Sequence, residues 1–283
     1  MNKVAIVTDS TAYLPKECID QYQISTIPLS MIWGDQILRD GVDIQPAEFY
    51  DRLSKSKIMP TTSQVTPAAM LETFQPLLAQ GYDVLGIFLS SKFSGTIQSA
   101  IQARDMLDGA AERVAIVDSQ LTTMAMGWPV LTSARAAQAG ENLAECQKIA
   151  ENTCKNSGVL FVVETLEFLR RGGRIGGASA LLGTALNIKP VLEMRDGRIE
   201  SVEKIRTKQK AIQRMLELTS ERISGRTPVR VAVTHANSEA DASSVLKLAN
   251  AQFSPIETLT SSLSPVIGTH AGPGTVALNY MIG

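Results

Sequence analysis

A loop of small hydroxyl side chains, Ser90 to Thr96, stands between an apolar run and a helical pattern. Where a loop enters a helix, the free backbone N–H groups and the helix dipole favour a bound anion. Gly95 allows a ligand or another part of the chain to approach this backbone closely. The loop therefore indicates an anion site that includes Ser94, although a simple N-cap made by Ser94 or Thr96 explains the same residues.

A second polar loop, Thr62-Ser63-Gln64, also enters a helical pattern. Thr66 suits the N-cap of that helix, and Pro67 suits its first position. Taken alone, this loop predicts a helix cap. Two such loops in one half of the chain favour the hypothesis that both face one ligand.

Polar side chains also stand at the carboxyl end of the first predicted strand, Val4 to Val7. In open parallel sheets, ligands bind beyond the carboxyl ends of the strands. The sequence therefore predicts a pocket whose lining includes Ser63, Gln64, Gly95, Asp9 and Ser10.

Two histidines occur in the chain, His235 and His270. His270 lies in a Gly/Pro-rich stretch, residues 268–275, which predicts a loop between short strands. Because binding residues are common on loops, His270 is a candidate site residue. His235 ends a predicted strand, where a buried structural histidine is the simpler interpretation.

A basic, Gly-rich stretch runs from Arg170 to Gly177. Its backbone N–H groups could bind phosphate. It matches neither the GxxxxGK[ST] nor the GxGxxG nucleotide motif, so a solvated loop or a protein contact is the simpler interpretation. The chain also lacks the GxSxG and HExxH motifs, and we predict no catalytic residue and no metal site.

The elements that position these residues fall into two patterns. Short β-branched runs alternate with helical patterns over residues 1–162, which predicts an α/β domain with a mainly parallel, Rossmann-like sheet. The run 159–163 is interpreted as the last strand of that series. Beyond it, Asp196-Gly197 predicts a hairpin, and residues 163–283 are expected to form a mixed α+β domain.

Composition narrows the classes of partner. The 283 residues carry a net charge of -1 and only 5% aromatic residues, which argues against nucleic acid as a partner. Three cysteines fit no zinc pattern and are typical of reduced thiols. With no apolar run of about 20 residues, we expect a soluble cytoplasmic protein with at most transient membrane contact.

The ordered set of motifs resembles the DegV family of fatty-acid-binding proteins, which includes the binding subunits of bacterial fatty acid kinase. The resemblance spans essentially the whole chain. Its motifs are Val7-Thr8-Asp9-Ser10-Thr11, Asp40-Gly41-Val42-Asp43, Thr62-Ser63-Gln64, Ser90-Ser91-Lys92-Phe93-Ser94-Gly95-Thr96, Arg170-Arg171-Gly172-Gly173-Arg174-Ile175, Lys189-Pro190 and His270-Ala271-Gly272-Pro273-Gly274.

The resemblance implies a tunnel between or beside two α/β domains that buries a long-chain fatty acid such as palmitate or oleate. Carried over to this chain, Thr62 and Ser94 hydrogen-bond the carboxyl group, and His270 lies near it. No cofactor is implied beyond this bound ligand.

The resemblance also implies a partner, an ATP-dependent kinase that converts the presented carboxyl group to an acyl phosphate. Arg170, with Arg171 and Arg174, is expected to dock that partner. Three alternatives stay open: a lipid carrier without a kinase, an interaction module with an empty pocket, and a hydrolase.

Overall fold

The computed structural model describes residues 2–182 and 188–283, and the strands of these segments form three sheets. The strands are β1 (Val4–Asp9), β2 (Ser25–Ile27), β3 (Ser30–Trp33), β4 (Gln36–Arg39), β5 (Thr61–Ser63), β6 (Asp83–Phe88), β7 (Val114–Asp118), β8 (Ser157–Val162), β9 (Val191–Arg195), β10 (Arg198–Glu203), β11 (Val229–His235), β12 (Glu257–Ser262) and β13 (Val276–Ile282).

Helices connect and cover these strands. They are α1 (Lys16–Tyr22), α2 (Pro46–Lys55), α3 (Pro67–Ala79), α4 (Thr96–Asp105), α5 (Thr123–Gln138), α6 (Leu143–Lys155), α7 (Glu167–Arg171), α8 (Lys208–Ile223), α9 (Glu239–Phe253) and α10 (Pro265–Ala271). Short 3-10 turns are present at 10–12, 111–113 and 176–181.

The first sheet is parallel, with strand order β2-β1-β6-β7. Helix α3 begins as predicted, since the Thr66 hydroxyl accepts a hydrogen bond from the Ala69 N–H at 3.2 Å and Pro67 occupies the first helical position. The predicted mixed α/β fold with a parallel first sheet is therefore confirmed.

The second sheet is mixed, with order β10-β9-β8-β13-β11-β12. Strands β11 and β12 are parallel, and the other neighbours are antiparallel. The predicted hairpin joins β9 to β10, with Asp196 (φ 50°) and Gly197 (φ 77°) in the left-handed region that a two-residue turn requires.

Strand β8 corrects one prediction. It pairs antiparallel with β13 and β9, so the interpretation of residues 159–163 as the last strand of the parallel series is wrong. A short, wholly apolar run looks the same in either kind of buried sheet. We propose to draw the boundary between the two sheet units before Ser157 rather than after Val162.

A third, small sheet with order β4-β3-β5 was not predicted. The chain passes directly from β2 in the parallel sheet to β3 in the small one, so two neighbouring strands belong to different sheets. The small sheet packs against α10, so it holds Thr62 of β5 beside that helix.

Helix α5 lies between the two large sheets and contacts strands of both. Its side chains are buried along most of the helix, including Met124, Met126, Trp128 and Leu131. One hydrophobic cluster accordingly contains residues from β1 and β6 as well as from β8 and β13. The two sheet units thus share a core.

Candidate functional site: an apolar cavity with a polar end

A cavity of about 350 Å³ is lined by strand residues of the second large sheet and of the small sheet, and by residues that follow the strands of the first sheet, such as Leu29 and Leu89. Much of its wall is apolar: Leu29, Leu89, Phe93, Val159, Phe161, Leu169, Met194, Ile199, Leu263, Val266, Ile267, Ala271 and Ala277. A ligand inside it would bury apolar surface against these side chains.

The cavity brings together the three residues predicted for the head group. Thr62 comes from β5, Ser94 from the loop before α4, and His270 from the last turn of α10. The Thr62 Oγ1 and the His270 Nε2 are 2.8 Å apart. Thr62 and His270, which are far apart in the sequence, thus form a contacting pair in the cavity wall, and Ser94 lines the same cavity.

His270 lies on a helix, and the prediction of a loop between strands is wrong at this point. The Ser264 hydroxyl caps α10 by accepting a hydrogen bond from the Ile267 N–H at 3.1 Å, and Pro265 is the first helical residue. The Gly and Pro residues in this stretch concealed a helix of seven residues.

Burial and the nearby Arg174 guanidinium lower the pKa of His270 to about 4. The imidazole is therefore neutral at neutral pH. Its Nδ1 has no hydrogen-bond partner among the residues that the structure describes, and it lies against Gly172, where an added Cβ would collide with the ring. Glycine at this position is what allows the histidine to sit so close to the loop.

The two hydroxyl-rich loops pack against each other. A Cβ at Gly95 would collide with the Gln64 side chain, which confirms the expected close approach at this glycine. The Gln64 amide donates to the Ser99 Oγ at 3.0 Å. Ser94 is half-buried, and its Oγ accepts from the Thr96 N–H at 3.3 Å, so it supports the start of α4 as well as lining the cavity.

The arginines of the Gly-rich stretch separate into two environments. Arg170 and Arg171 are exposed on α7 and pair with Glu167 at 2.8 and 2.6 Å. Arg174 instead lines the cavity and donates to the Phe93 carbonyl at 3.1 Å and to the Gly172 carbonyl at 2.7 Å. Because Arg174 stands close to the other two arginines in the sequence, the sequence alone did not distinguish it as a cavity residue.

Arg174 is the one charged side chain among the described residues of the cavity wall. It lies near His270, whose pKa it helps to lower. A single positive charge in an otherwise neutral wall favours an anionic ligand, because burying an anion requires a compensating charge or hydrogen bonds.

Asp9 and Ser10 lie elsewhere, in the wall of a second cavity of about 460 Å³. The Asp9 carboxylate accepts hydrogen bonds from the Thr11 N–H at 2.9 Å and the Leu89 N–H at 2.8 Å, and burial raises its pKa. Ser10 donates to the Asp40 carboxylate at 2.8 Å. Both side chains tie the end of β1 to neighbouring segments.

His235 is a structural residue, as the simpler interpretation predicted. It is 7% exposed, and its Nδ1 accepts a hydrogen bond from the Ser238 N–H at 3.2 Å. Across residues 2–182 and 188–283, His, Cys, Asp and Glu form no group suited to a metal ion. The same residues contain no helix with the length and hydropathy of a membrane span.

Known proteins resemble this chain over its full length. Residues 3–282 match the model of a family described as "Uncharacterised protein, DegV family COG1307". A DegV domain-containing protein of Listeria innocua is 37% identical over 281 residues, which cover 99% of each chain.

Solved structures give the same result. A DegV family protein from Thermus thermophilus, described with fatty acid binding, superposes with a TM-score of 0.93 at 32% identity and covers 99% of this chain and 100% of its own. DegV from Bacillus subtilis, described as a fatty acid binding protein, gives a TM-score of 0.90 at 35% identity with both chains fully covered.

Proposed function

The chain belongs to the DegV family, and from this membership we propose that it binds a long-chain fatty acid in the 350 Å³ cavity, with the carboxyl group at Thr62 and Ser94. The observation that carries the proposal is the convergence of Thr62, Ser94 and His270 on one otherwise apolar cavity. The fatty acid binding described for the structural relatives supports it.

The energetics of such a complex require both parts of the cavity. Burying ~14 methylenes gains on the order of 11 kcal/mol at about 0.8 kcal/mol each. Loss of translational and rotational freedom opposes several kcal/mol of that gain. A buried carboxyl group without partners would cost several more, so the hydroxyl donors decide whether an acid binds.

The neutral imidazole of His270 suits this role. If its Nε2–H donates to the Thr62 Oγ1 at 2.8 Å, the Thr62 hydroxyl hydrogen is free to donate to a carboxylate. Nδ1 is then an acceptor without a donor, which is less costly than a buried N–H without an acceptor. Arg174 adds positive charge to the same region.

A non-catalytic role fits these residues better than hydrolysis. A Ser–His–acid triad needs a carboxylate on the second imidazole nitrogen, and His270 Nδ1 has no partner in the described parts of the chain. A histidine with a pKa near 4 is also a weak general base at neutral pH.

We further propose that the protein presents the carboxyl group to an ATP-dependent kinase, which forms an acyl phosphate for lipid metabolism or transport. Arg170 and Arg171 are exposed on α7, and α7 packs against α10, the helix that carries His270. The exposed arginines therefore lie beside the head-group end. A cytoplasmic location is proposed with this role, in keeping with the three free cysteines Cys18, Cys146 and Cys154.

The direct test is mass spectrometry of lipid extracted from the purified, denatured protein, combined with thermal melting in the presence of palmitate or oleate. We expect a fatty acid at close to one per chain, and a higher melting temperature when it is added to stripped protein. Absence of bound acid together with an unchanged melting temperature would leave the empty interaction module as the better description.

A further inference from the structure

The hydroxyl of Thr122 is an unused hydrogen-bonding group in the wall of the acyl cavity. The side chain is 8% exposed, and its Oγ1 has no hydrogen-bond partner in residues 2–182 and 188–283. A buried hydroxyl without a hydrogen-bond partner is unfavourable. Because the Thr122 hydroxyl belongs to a cavity wall, a bound ligand is a natural source of the missing partner.

Thr122 occupies the N-cap position of α5 but does not perform the usual capping. A threonine there normally accepts a hydrogen bond from the second or third helical N–H. In this chain, the Ala125 N–H donates to the Asn279 Oδ1 of β13 at 3.0 Å, and Thr122 makes no side-chain capping bond. Asn279, a residue of the second sheet, thus caps α5 in place of Thr122.

The polar groups nearest to Thr122 already have partners. The Thr123 Oγ1 donates to the Asn279 Oδ1 at 2.6 Å. The Asn279 amide donates to the Ala232 carbonyl at 3.1 Å and to the Thr234 Oγ1 at 3.2 Å. Both donors of Asn279 are therefore engaged, and its oxygen accepts two hydrogen bonds. None of these groups makes a hydrogen bond with the Thr122 Oγ1.

The register of β13 places this cluster away from the head group. Thr275 donates to the Ala271 carbonyl at 2.9 Å, next to His270. Ala277 and Asn279 follow on the same face, and since a strand rises about 3.3 Å per residue, Asn279 lies ~13 Å along the strand from Thr275. Thr122 and Thr123 therefore face the distal part of the acyl chain.

We infer that Thr122 is a specificity residue that hydrogen-bonds an oxygen atom in the distal half of the acyl chain, so that the ligands include long-chain acids with an in-chain hydroxyl or keto group. This inference rests on the proposed function. Thr122 lines the cavity, and a change of χ1 rotamer exchanges the positions of its hydroxyl and methyl groups without backbone movement. A saturated chain leaves that hydroxyl unpaired, whereas an oxygenated chain supplies its partner.

The test compares 12-hydroxystearate with stearate by titration calorimetry on the parent protein and on Thr122→Val. Valine keeps the shape of threonine and removes the hydroxyl. We expect the preference for the hydroxy acid over stearate to fall about fivefold to tenfold in Thr122→Val, as for the loss of one hydrogen bond. Stearate itself should bind the variant at least as tightly, because the unpaired group is gone.

Two controls separate this inference from its premise. Thr122→Ser keeps a hydroxyl and should retain the preference, and α-hydroxystearate, whose hydroxyl lies at the head group, should be insensitive to Thr122→Val. If all variants bind stearate but the preference ratio is the same in each, Thr122 does not select oxygenated chains. If the parent protein binds neither acid, the proposed function itself fails.

Discussion

His270 owes its neutrality to its position between Thr62, Gly172 and Arg174. A charged imidazole at this point would be both desolvated and repelled by the guanidinium. A neutral one serves as a hydrogen-bonding partner that fixes the Thr62 hydroxyl. In the proposed head-group site, the donors would therefore be oriented before a ligand arrives, which lowers the entropic cost of binding.

The hydroxyls of this site give the first prediction. Thr62→Val and Ser94→Ala should each raise the Kd for palmitate about tenfold to a hundredfold, because each removes a hydrogen bond to a charged group. Fluorescence displacement or calorimetry measures the change. Thr61→Val is the matched control, since Thr61 is the exposed neighbour of Thr62 on β5 and does not line the cavity. Equal losses at positions 61 and 62 would contradict the assignment.

The lowered pKa of His270 gives a second prediction, for stability against pH. Its pKa is about 4 in the folded protein, against an ordinary value of 6.5. The unfolded chain therefore binds the proton first as pH falls, and stability is lost between pH 6.5 and about 4. The loss amounts to up to about 3 kcal/mol.

Urea unfolding of the parent and of His270→Gln across this pH range measures that loss. The buried acids Asp9 and Asp40 also have raised pKa values, so the difference between the two proteins is the quantity to follow. A difference that stays constant from pH 7 to pH 4 would show that His270 titrates normally.

Among the secondary-structure elements, the β9–β10 hairpin fastens the second sheet to the hydroxyl-rich loop of the first. The Ser90 Oγ donates to the Gly197 carbonyl at 2.8 Å. A Cβ added at Gly197 would lie only 2.7 Å from the Ser90 Oγ. The turn sequence Asp196-Gly197 thus serves two purposes: it forms the hairpin, and it allows the tip to approach Ser90.

Gly197→Ala should therefore destabilise the protein by about 2–3 kcal/mol, from a left-handed φ of 77° and from the collision with Ser90. Gly109→Ala is the matched control, because Gly109 has a similar φ of 66° and nothing within 4 Å of an added Cβ. Only about 1 kcal/mol is expected there. Equal denaturation midpoints for the two variants would mean that a Cβ at Gly197 makes no costly contact with Ser90.

Sequence patterns predicted most helices and the parallel sheet, because periodicity and caps such as Thr66-Pro67 are local signals. These patterns failed where the pairing of strands depends on residues that are far apart in the sequence. The apolar run of β8 carries no mark of its partners, and the Gly/Pro content around His270 concealed α10. The predicted head-group residues came from resemblance to a family, whereas Arg174 and Thr122 required the packed structure.

For the molecule as a whole, the exposed arginines of α7 give the prediction about a partner. Arg170→Ala should lower kinase-dependent acyl phosphate formation about tenfold or more. Charged residues at the edge of an interface increase the rate at which two proteins associate and help to orient them. Palmitate binding should not change, because Arg170 does not line the cavity. Arg104→Ala, which removes an arginine paired with Asp105 on α4, is the control. Loss of palmitate binding in Arg170→Ala would instead indicate a structural role.

The cap that Asn279 provides to α5 also bears on how the protein is made. Strand β13, which carries Asn279, inserts between β8 and β11 and follows both of them in the chain. During synthesis, α5 therefore emerges long before its cap and before one wall of the cavity. A nascent chain that has not yet exposed β13 has no complete cavity, and binding of the proposed ligand would have to wait until this strand has left the ribosome.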